Sequence, residues 1–406
     1  MRIAVLAEPD SFHTKKWTQA LVEAGQEVVV FSFSNYQIPG IPCVKIDPRF
    51  TFRGHVTYFS YLGTVQRLRK ALRDHRIDLL NPINVTPFSV WARRARRHPM
   101  FSIAMGSDIL EYPPVGQGEI PIERLWTRTQ SGGLSWVEKI QMPLKRWLFR
   151  REVQKALSAS DFVIGDNWVL VHAVRNWFGV KEEQSALNRW GIEPELFEMT
   201  KEEEAMIRQK YHIPSESRLL TSPRGIKAIY QGDIIIEAVR QALESGELRD
   251  TRILMLSAGY AVPYDIEAIA SDLEARFPQF SLIREAIPRE EMCQLWNLTD
   301  AFISAPIYDG YSNALSEGRY IGAIPIVNDT PATQEVMEDG IHGKVVKQFE
   351  PESLAEAITE VMKEIDHWKK RIAQTNRAWV EREAVLSVNI RRFVEKAEDL
   401  RQNHAD

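Results

Sequence analysis

Short apolar runs, each followed by a stretch of helical period, recur along this chain in two successive series, and no other feature limits its fold so strongly. The first series predicts strands at Arg2–Ala7, Glu27–Ser32, Leu79–Asn81, Phe101–Met105 and Asp161–Gly165, with helices over 14–25, 61–75 and 85–98. The second predicts strands at Arg218–Ser222, Arg252–Ser257, Phe280–Arg284, Ala301–Ala305 and Ile324–Asn328. Helices are expected between them over 231–244, 263–276, 290–298 and 312–321. Runs that are apolar on both faces suit strands covered on both sides, and the βα rhythm gives parallel sheets wrapped by helices. The expected class is α/β, with two doubly wound, Rossmann-like domains. Ligands of such sheets bind at the carboxyl ends of the strands, and between two such domains the natural site is the cleft.

A chain of 406 residues is too long for one core and fits two domains. The segment Asn188–Ser217 carries Gly191, Pro194, Pro214 and the acidic run Glu202–Glu204, and reads as the crossing between them. The C-terminal stretch reads as charged helices anchored by Trp368, Trp379, Leu386 and Phe393. Cys43 and Cys293 stand far apart without metal-ligand spacing, which suits core packing in a reducing compartment. No run approaches the ~20 apolar residues of a membrane span, and no signal-peptide pattern precedes the first strand, so a cytoplasmic location is expected.

The net charge of −4 conceals an asymmetry. Residues 1–185 hold 25 Lys and Arg against 17 Asp and Glu, while the remainder holds 26 against 38. A basic N-terminal half points to an anionic partner: an acidic membrane surface, a pyrophosphate-linked acceptor or nucleic acid. Basic residues cluster in 67–76, 93–97 and 139–151, the last interleaved with Trp147, Leu148 and Phe149. Such a helix either lies in an anionic membrane interface or packs with a solvated basic face. No zinc, RNP or helix-turn-helix signature supports nucleic acid.

The richest local pattern runs from Ile303 to Gly318 (ISAPIYDGYSNALSEG): a buried strand, a turn bearing Pro306 and Gly310, then a helix starting near Ser312. Gly310 lets backbone approach a ligand, and the outward amides of Tyr311, Ser312 and their neighbours suit a phosphate. Asp309 and Glu317, eight positions apart, flank those amides and can accept hydroxyl hydrogen bonds on either side of a diphosphate. Hexose, diphosphate and ribose in a nucleotide sugar have that layout.

Asp309-x(7)-Glu317 resembles the E-x(7)-E signature of retaining glycosyltransferases of family 4, with Asp in place of the first Glu. The stretches Gly322–Val327 (GAIPIV) and Glu335–Val345 (EVMEDGIHGKV) resemble the strand and loop that follow it in that family. Asp10–Trp17 is similar to the family's S-x-H-x-x-x-W opening, Gly106-Ser107-Asp108 to its G-S-D loop, and Trp190–Phe197 to its domain-crossing stretch. A dinucleotide-binding dehydrogenase would need G-x-G-x-x-G after the first strand, which is absent here. The resemblance implies the GT-B fold, two Rossmann-like domains facing a central cleft. It implies an acceptor-side domain over 1–187, a nucleotide-sugar domain over 188–375, and a C-terminal helix, 376–406, returning to the first domain.

The same resemblance implies a metal-independent, retaining transfer of a hexose from a nucleoside-diphosphate sugar to an acceptor hydroxyl, with no cofactor; no D-x-D metal motif occurs. The acceptor would be a glycan or a lipid-linked cell-envelope molecule. Glu317 would accept from the ribose and Asp309 would hold a sugar hydroxyl. His13 either positions an acceptor hydroxyl or phosphate, or packs and caps its helix. Asp108 either orients and deprotonates the acceptor or caps a helix. Arg224, after the first strand of the second series, supplies a diphosphate-gripping cation. The family's following Lys is replaced by Gln231, which leaves Lys227 as the second candidate. Two other functions remain open: a GT-B epimerase acting on a UDP-sugar, and a catalytically weak nucleotide-sugar binder.

Overall fold

The computed structural model describes residues 1–47, 61, 63–96, 99–110, 136–308 and 310–403, and for residues 107, 136–146, 373 and 374 the backbone alone. The described residues form two compact units, one from 1–110, 136–190 and 386–403, the other from 191–385.

In the first unit, strands β1 (Arg2–Leu6), β2 (Glu27–Ser32), β3 (Cys43–Lys45) and β4 (Leu79–Pro82) form a sheet in the order β3-β2-β1-β4. Strands β5 (Phe101–Ala104), β6 (Phe162–Gly165) and β7 (Ser185–Leu187) form a second. Parallel bridges Leu80–Met100 and Ile83–Ile103 join β4 to β5, so the strands run in one parallel series. Ile3 pairs with Val28 on one side and Leu79 on the other. Ile3 to Leu6 are completely buried, which is why β1 reads as an unbroken apolar run.

The helix Phe12–Glu23 covers β1 through Trp17, Ala20 and Leu21. The helix Leu386–Asn403 packs on the same core, with the Phe393 ring 5.1 Å from Trp17 and 4.4 Å from Phe101. Of the Val85–His98 helix expected from sequence, the short helix Val90–Ala95 is present, preceded over Val85–Ser89 by a kinked turn in which Thr86 is extended; residues 97 and 98 lie outside the described residues. Asn84, in front of the turn, is left-handed at φ 80°.

The second unit carries a parallel sheet in the order β10-β9-β8-β11-β12-β13. Its strands are β8 (Arg218–Ser222), β9 (Thr251–Leu256), β10 (Phe280–Ile283), β11 (Ala301–Ser304), β12 (Ile324–Asn328) and β13 (Lys344–Val346). The chain leaves β8 toward one edge and returns at β11 on its other side, making β8 and β11 the topological switch point. Trp368 is buried in the main core of this unit, and Trp379 packs half-buried in a smaller cluster.

The crossing segment is more ordered than its composition suggests. Lys201–Lys210 is a helix, opened by a complete capping box between Thr200 and Glu203. The acidic run is its first turn, where carboxylates meet the positive end of the helix. The helix Trp168–Phe178 and the three-residue strands β3, β7 and β13 were likewise not expected from sequence. Among the described residues, no helix is long and apolar enough to cross a membrane.

Candidate functional site

The second unit's site is assembled at the carboxyl ends of β8 and β11. After β8 the chain passes Pro223 and Arg224, makes a short 3-10 turn at Ala228–Tyr230, and enters the helix Gly232–Glu244. Gly232 is required there, because a Cβ would lie 2.7 Å from both the Cα and the carbonyl oxygen of Ile226. Gln231 is left-handed and buried, and its Nε2 donates to the Ala305 carbonyl at 3.0 Å. The amide of Ile307 donates to the Ile229 carbonyl at 2.8 Å, and Asn328 Nδ2 donates to the Pro306 carbonyl at 2.8 Å. The turn after β11 is therefore held from the β8 loop on one side and from the end of β12 on the other. Where the resembling family places a Lys, this chain places an amide that fastens the loop.

Ser312 caps the helix Asn313–Ile321, its Oγ accepting from the Leu315 amide. The Arg224 guanidinium donates to the same Oγ and lies 4.6 Å from the centroid of the Tyr230 ring. A fixed guanidinium thus stands at the positive end of a helix, the two elements that attract a phosphate. Gly310 is buried beside them. The Tyr311 ring turns into the core, 5.5 Å from Trp379, so Tyr311 can offer the site its backbone but not its ring. Lys227 is exposed, its ammonium 3.4 Å from the centroid of the Tyr260 ring. Asp309 lies outside the described residues.

Glu317 sits one turn into the same helix and is almost completely buried. Its Oε1 accepts from Arg289 Nη1 at 2.7 Å and its Oε2 from Trp296 Nε1 at 2.8 Å. The Arg289 guanidinium is pulled down by burial but held above its ordinary value by Glu317 and other neighbours, Glu193 among them. The helix comes this close to β11 because of Gly318, whose missing Cβ would fall 2.2 Å from the Phe302 ring. Arg289 and Trp296 were not singled out by sequence reasoning. They lie 28 and 21 positions before Glu317, and no local spacing links them to it.

His13 and Asp108 belong to the first unit, at the carboxyl ends of β1 and β5. The His13 ring lies 5.0 Å from Trp190 and 5.6 Å from Phe12. Asp108 is buried, and both its oxygens accept backbone amides, Oδ2 from Val85 at 2.6 Å and Oδ1 from Met105 at 2.9 Å. Burial pushes its carboxyl up to about 6, and the amides keep it from rising further. As placed, Asp108 clasps the β4 and β5 loops together.

Two family models match the chain: the one described as glycosyl transferase 4-like over residues 2–130, and the one described as glycosyl transferases group 1 over 207–379. No curated protein matches closely enough to serve as a relative. Among solved structures, a glycosyltransferase from Rickettsia africae is 14% identical with a TM-score of 0.73, covering 98% of each chain. Sucrose-phosphate synthase from Thermosynechococcus elongatus is 12% identical with a TM-score of 0.74, covering 98% of this chain and 99% of its own. HepE from Anabaena, solved in complex with UDP and glucose, is 14% identical with a TM-score of 0.69, covering 98% of this chain and all of its own. At such identities the likeness is one of fold, and the two family models add the lineage: this chain belongs to the group 1 glycosyl transferases of the family 4 type, built on the GT-B fold.

Proposed function

We propose that this protein transfers a hexose from a nucleoside-diphosphate sugar to an acceptor hydroxyl, without a metal ion or cofactor and with retention at the anomeric carbon. The observation that carries the proposal is Arg224 fixed on Ser312 at the start of the helix Asn313–Ile321, with Glu317 one turn further in. In this reading the diphosphate lies against the guanidinium and the amides of Gly310, Tyr311 and Ser312, with Lys227 able to swing in from Tyr260. Together they meet the charge that develops on the leaving phosphate. Glu317 receives the ribose hydroxyls, and Asp309 a hydroxyl of the sugar. The acceptor oxygen bonds to the anomeric carbon on the face from which the diphosphate leaves, and its proton passes to the departing phosphate. His13 and Asp108 belong to the acceptor side, Asp108 by shaping the loop that receives the acceptor.

The chemistry of HepE's bound UDP and glucose supports the donor class. WaaG, a neighbour with a TM-score of 0.66, is described as a glycosyltransferase of lipopolysaccharide biosynthesis, which favours a cell-envelope acceptor. Trp147, Leu148 and Phe149 are exposed on a helix that also exposes Arg151 and Lys155, a composition suited to the inner, anionic face of a membrane. Cytoplasmic location with peripheral attachment follows from that reading. Co-sedimentation with anionic but not neutral liposomes at low salt is expected, and its absence would refute the attachment.

The donor is tested by thermal shift with UDP-, GDP-, ADP- and dTDP-sugars in the presence of EDTA. A ligand specific for the folded state, at 100 times its Kd, stabilises by about 2.7 kcal/mol. One nucleotide sugar stabilising under chelation supports the proposal, and none doing so refutes it. NMR of the product's anomeric proton then decides retention.

A further inference from the structure

Both donors to Glu317 come from one helix. Arg289 opens the helix Arg289–Leu298, and Trp296 follows seven positions later, two turns along the same face. Each grips a different carboxylate oxygen, at 2.7 and 2.8 Å, so position and rotation of the carboxyl plane are both set. The donors are themselves fixed. Trp296 is completely buried with its ring edge-on to Phe302 at 5.0 Å. Arg289 Nη2 lies 3.9 Å from the Glu193 carboxylate, and its guanidinium 5.9 Å from the Phe197 ring. A carboxylate has about four lone-pair directions, and these contacts occupy two. The other two, one on each oxygen, have no partner among the described residues, and two acceptors on one carboxylate match in number the two hydroxyls of a vicinal diol.

We infer that Arg289 and Trp296 are positioning residues for ribose recognition: they aim Glu317 so that its unoccupied lone pairs accept both hydroxyls of the donor's ribose. This rests on the nucleotide-sugar reading above. Neither residue touches the ligand in this scheme, so removing either one blurs the carboxylate's orientation and leaves the phosphate and base contacts in place.

The test compares UDP with 2′,3′-dideoxy-UDP by isothermal titration, on the unaltered protein and on Glu317→Ala, Arg289→Gln and Trp296→Phe. If UDP does not bind, the GDP and ADP pairs replace it. The unaltered protein is expected to lose about tenfold or more in affinity with the dideoxy nucleotide, as hydrogen bonds to a charged acceptor require. Glu317→Ala should abolish that ratio. Arg289→Gln and Trp296→Phe should each cut it to about threefold or less, with affinity for the dideoxy nucleotide unchanged. A merely structural role would weaken both nucleotides alike and keep the ratio, and that result overturns the inference. Trp296→Phe retains the buried ring and removes only the N–H, so the test stands even if Arg289→Gln fails to fold. A ratio abolished by Glu317→Ala but kept by the other variants sinks this inference alone. A ratio that survives Glu317→Ala, or absence of binding by every nucleotide, sinks the donor-site reading with it.

Discussion

The indole N–H of Trp17 donates to Oδ1 of Asn81 at 2.9 Å, deep in the first unit, where both residues are buried. The same amide donates through Nδ2 to the Phe101 carbonyl at 2.8 Å. One side chain thus fastens the first helix to β4 and β4 to β5. Asn81→Leu leaves the Trp17 N–H and the Phe101 carbonyl buried without their partner, at about 1–3 kcal/mol each. Urea denaturation should show a loss of about 2–5 kcal/mol. A loss within about 0.5 kcal/mol, the level of a neutral surface change, would refute the bridging role.

Asp108 predicts a pH effect of definite sign. Its folded-state carboxyl titrates near 6, against an ordinary 3.8. Between those values the folded protein binds a proton that the unfolded chain does not, so the Asp108 contribution is greatest below pH ~4 and is lost as pH rises to ~6. The loss is at most about 3 kcal/mol. Denaturation of the native protein and Asp108→Asn at pH 4 to 7 should show the native protein losing ground relative to the variant across that window. A constant difference between them contradicts it.

Gly318 sets the depth of the helix that carries Glu317. Gly318→Ala pushes a methyl into the Phe302 ring, and overpacking of this kind costs about 1–3 kcal/mol or more. Both the melting temperature and nucleotide affinity should fall. Unchanged affinity alongside a lowered melting temperature would mean that the helix can shift without disturbing the site.

The two cations predict unequal losses. Arg224 is locked to Ser312, whereas Lys227 is exposed and resting on Tyr260. Arg224→Ala should weaken nucleoside-diphosphate binding by about 10- to 100-fold, the scale of a charge-assisted hydrogen bond. Lys227→Ala should cost about threefold or less, as for an exposed charge. Titration calorimetry checks the order, and a larger loss at Lys227 would reverse the assignment.

The strands that sequence placed to the residue, Glu27–Ser32, Arg218–Ser222 and Ile324–Asn328, are interior strands whose residues are nearly all buried. The strands β3 and β13 escaped because a three-residue edge strand carries neither an apolar run nor a full alternation. The helix Lys201–Lys210 carries a local signature, the Thr200-x-x-Glu203 capping box, but it is set between Pro194 and Pro214, in a stretch whose composition is that of a linker. At the site, Ser312 as helix start followed from local pattern. The fastening role of Gln231 and the grip of Arg289 and Trp296 on Glu317 did not, because they depend on strand order, which brings together residues tens of positions apart.

The strand order also has a consequence for how the protein matures. Arg224 and Ser312 are 88 positions apart and meet only because β8 and β11 pair across the switch point. Such a contact closes a long loop and belongs to the slow, non-local part of folding. A phosphate gripped between them would be unable to bind a nascent chain that ends before β11. The first moment of ligand binding during refolding would therefore report completion of the sheet's centre. On the proposed donor-site reading, a bound nucleotide would act as a removable staple across the seam where the two halves of that sheet join.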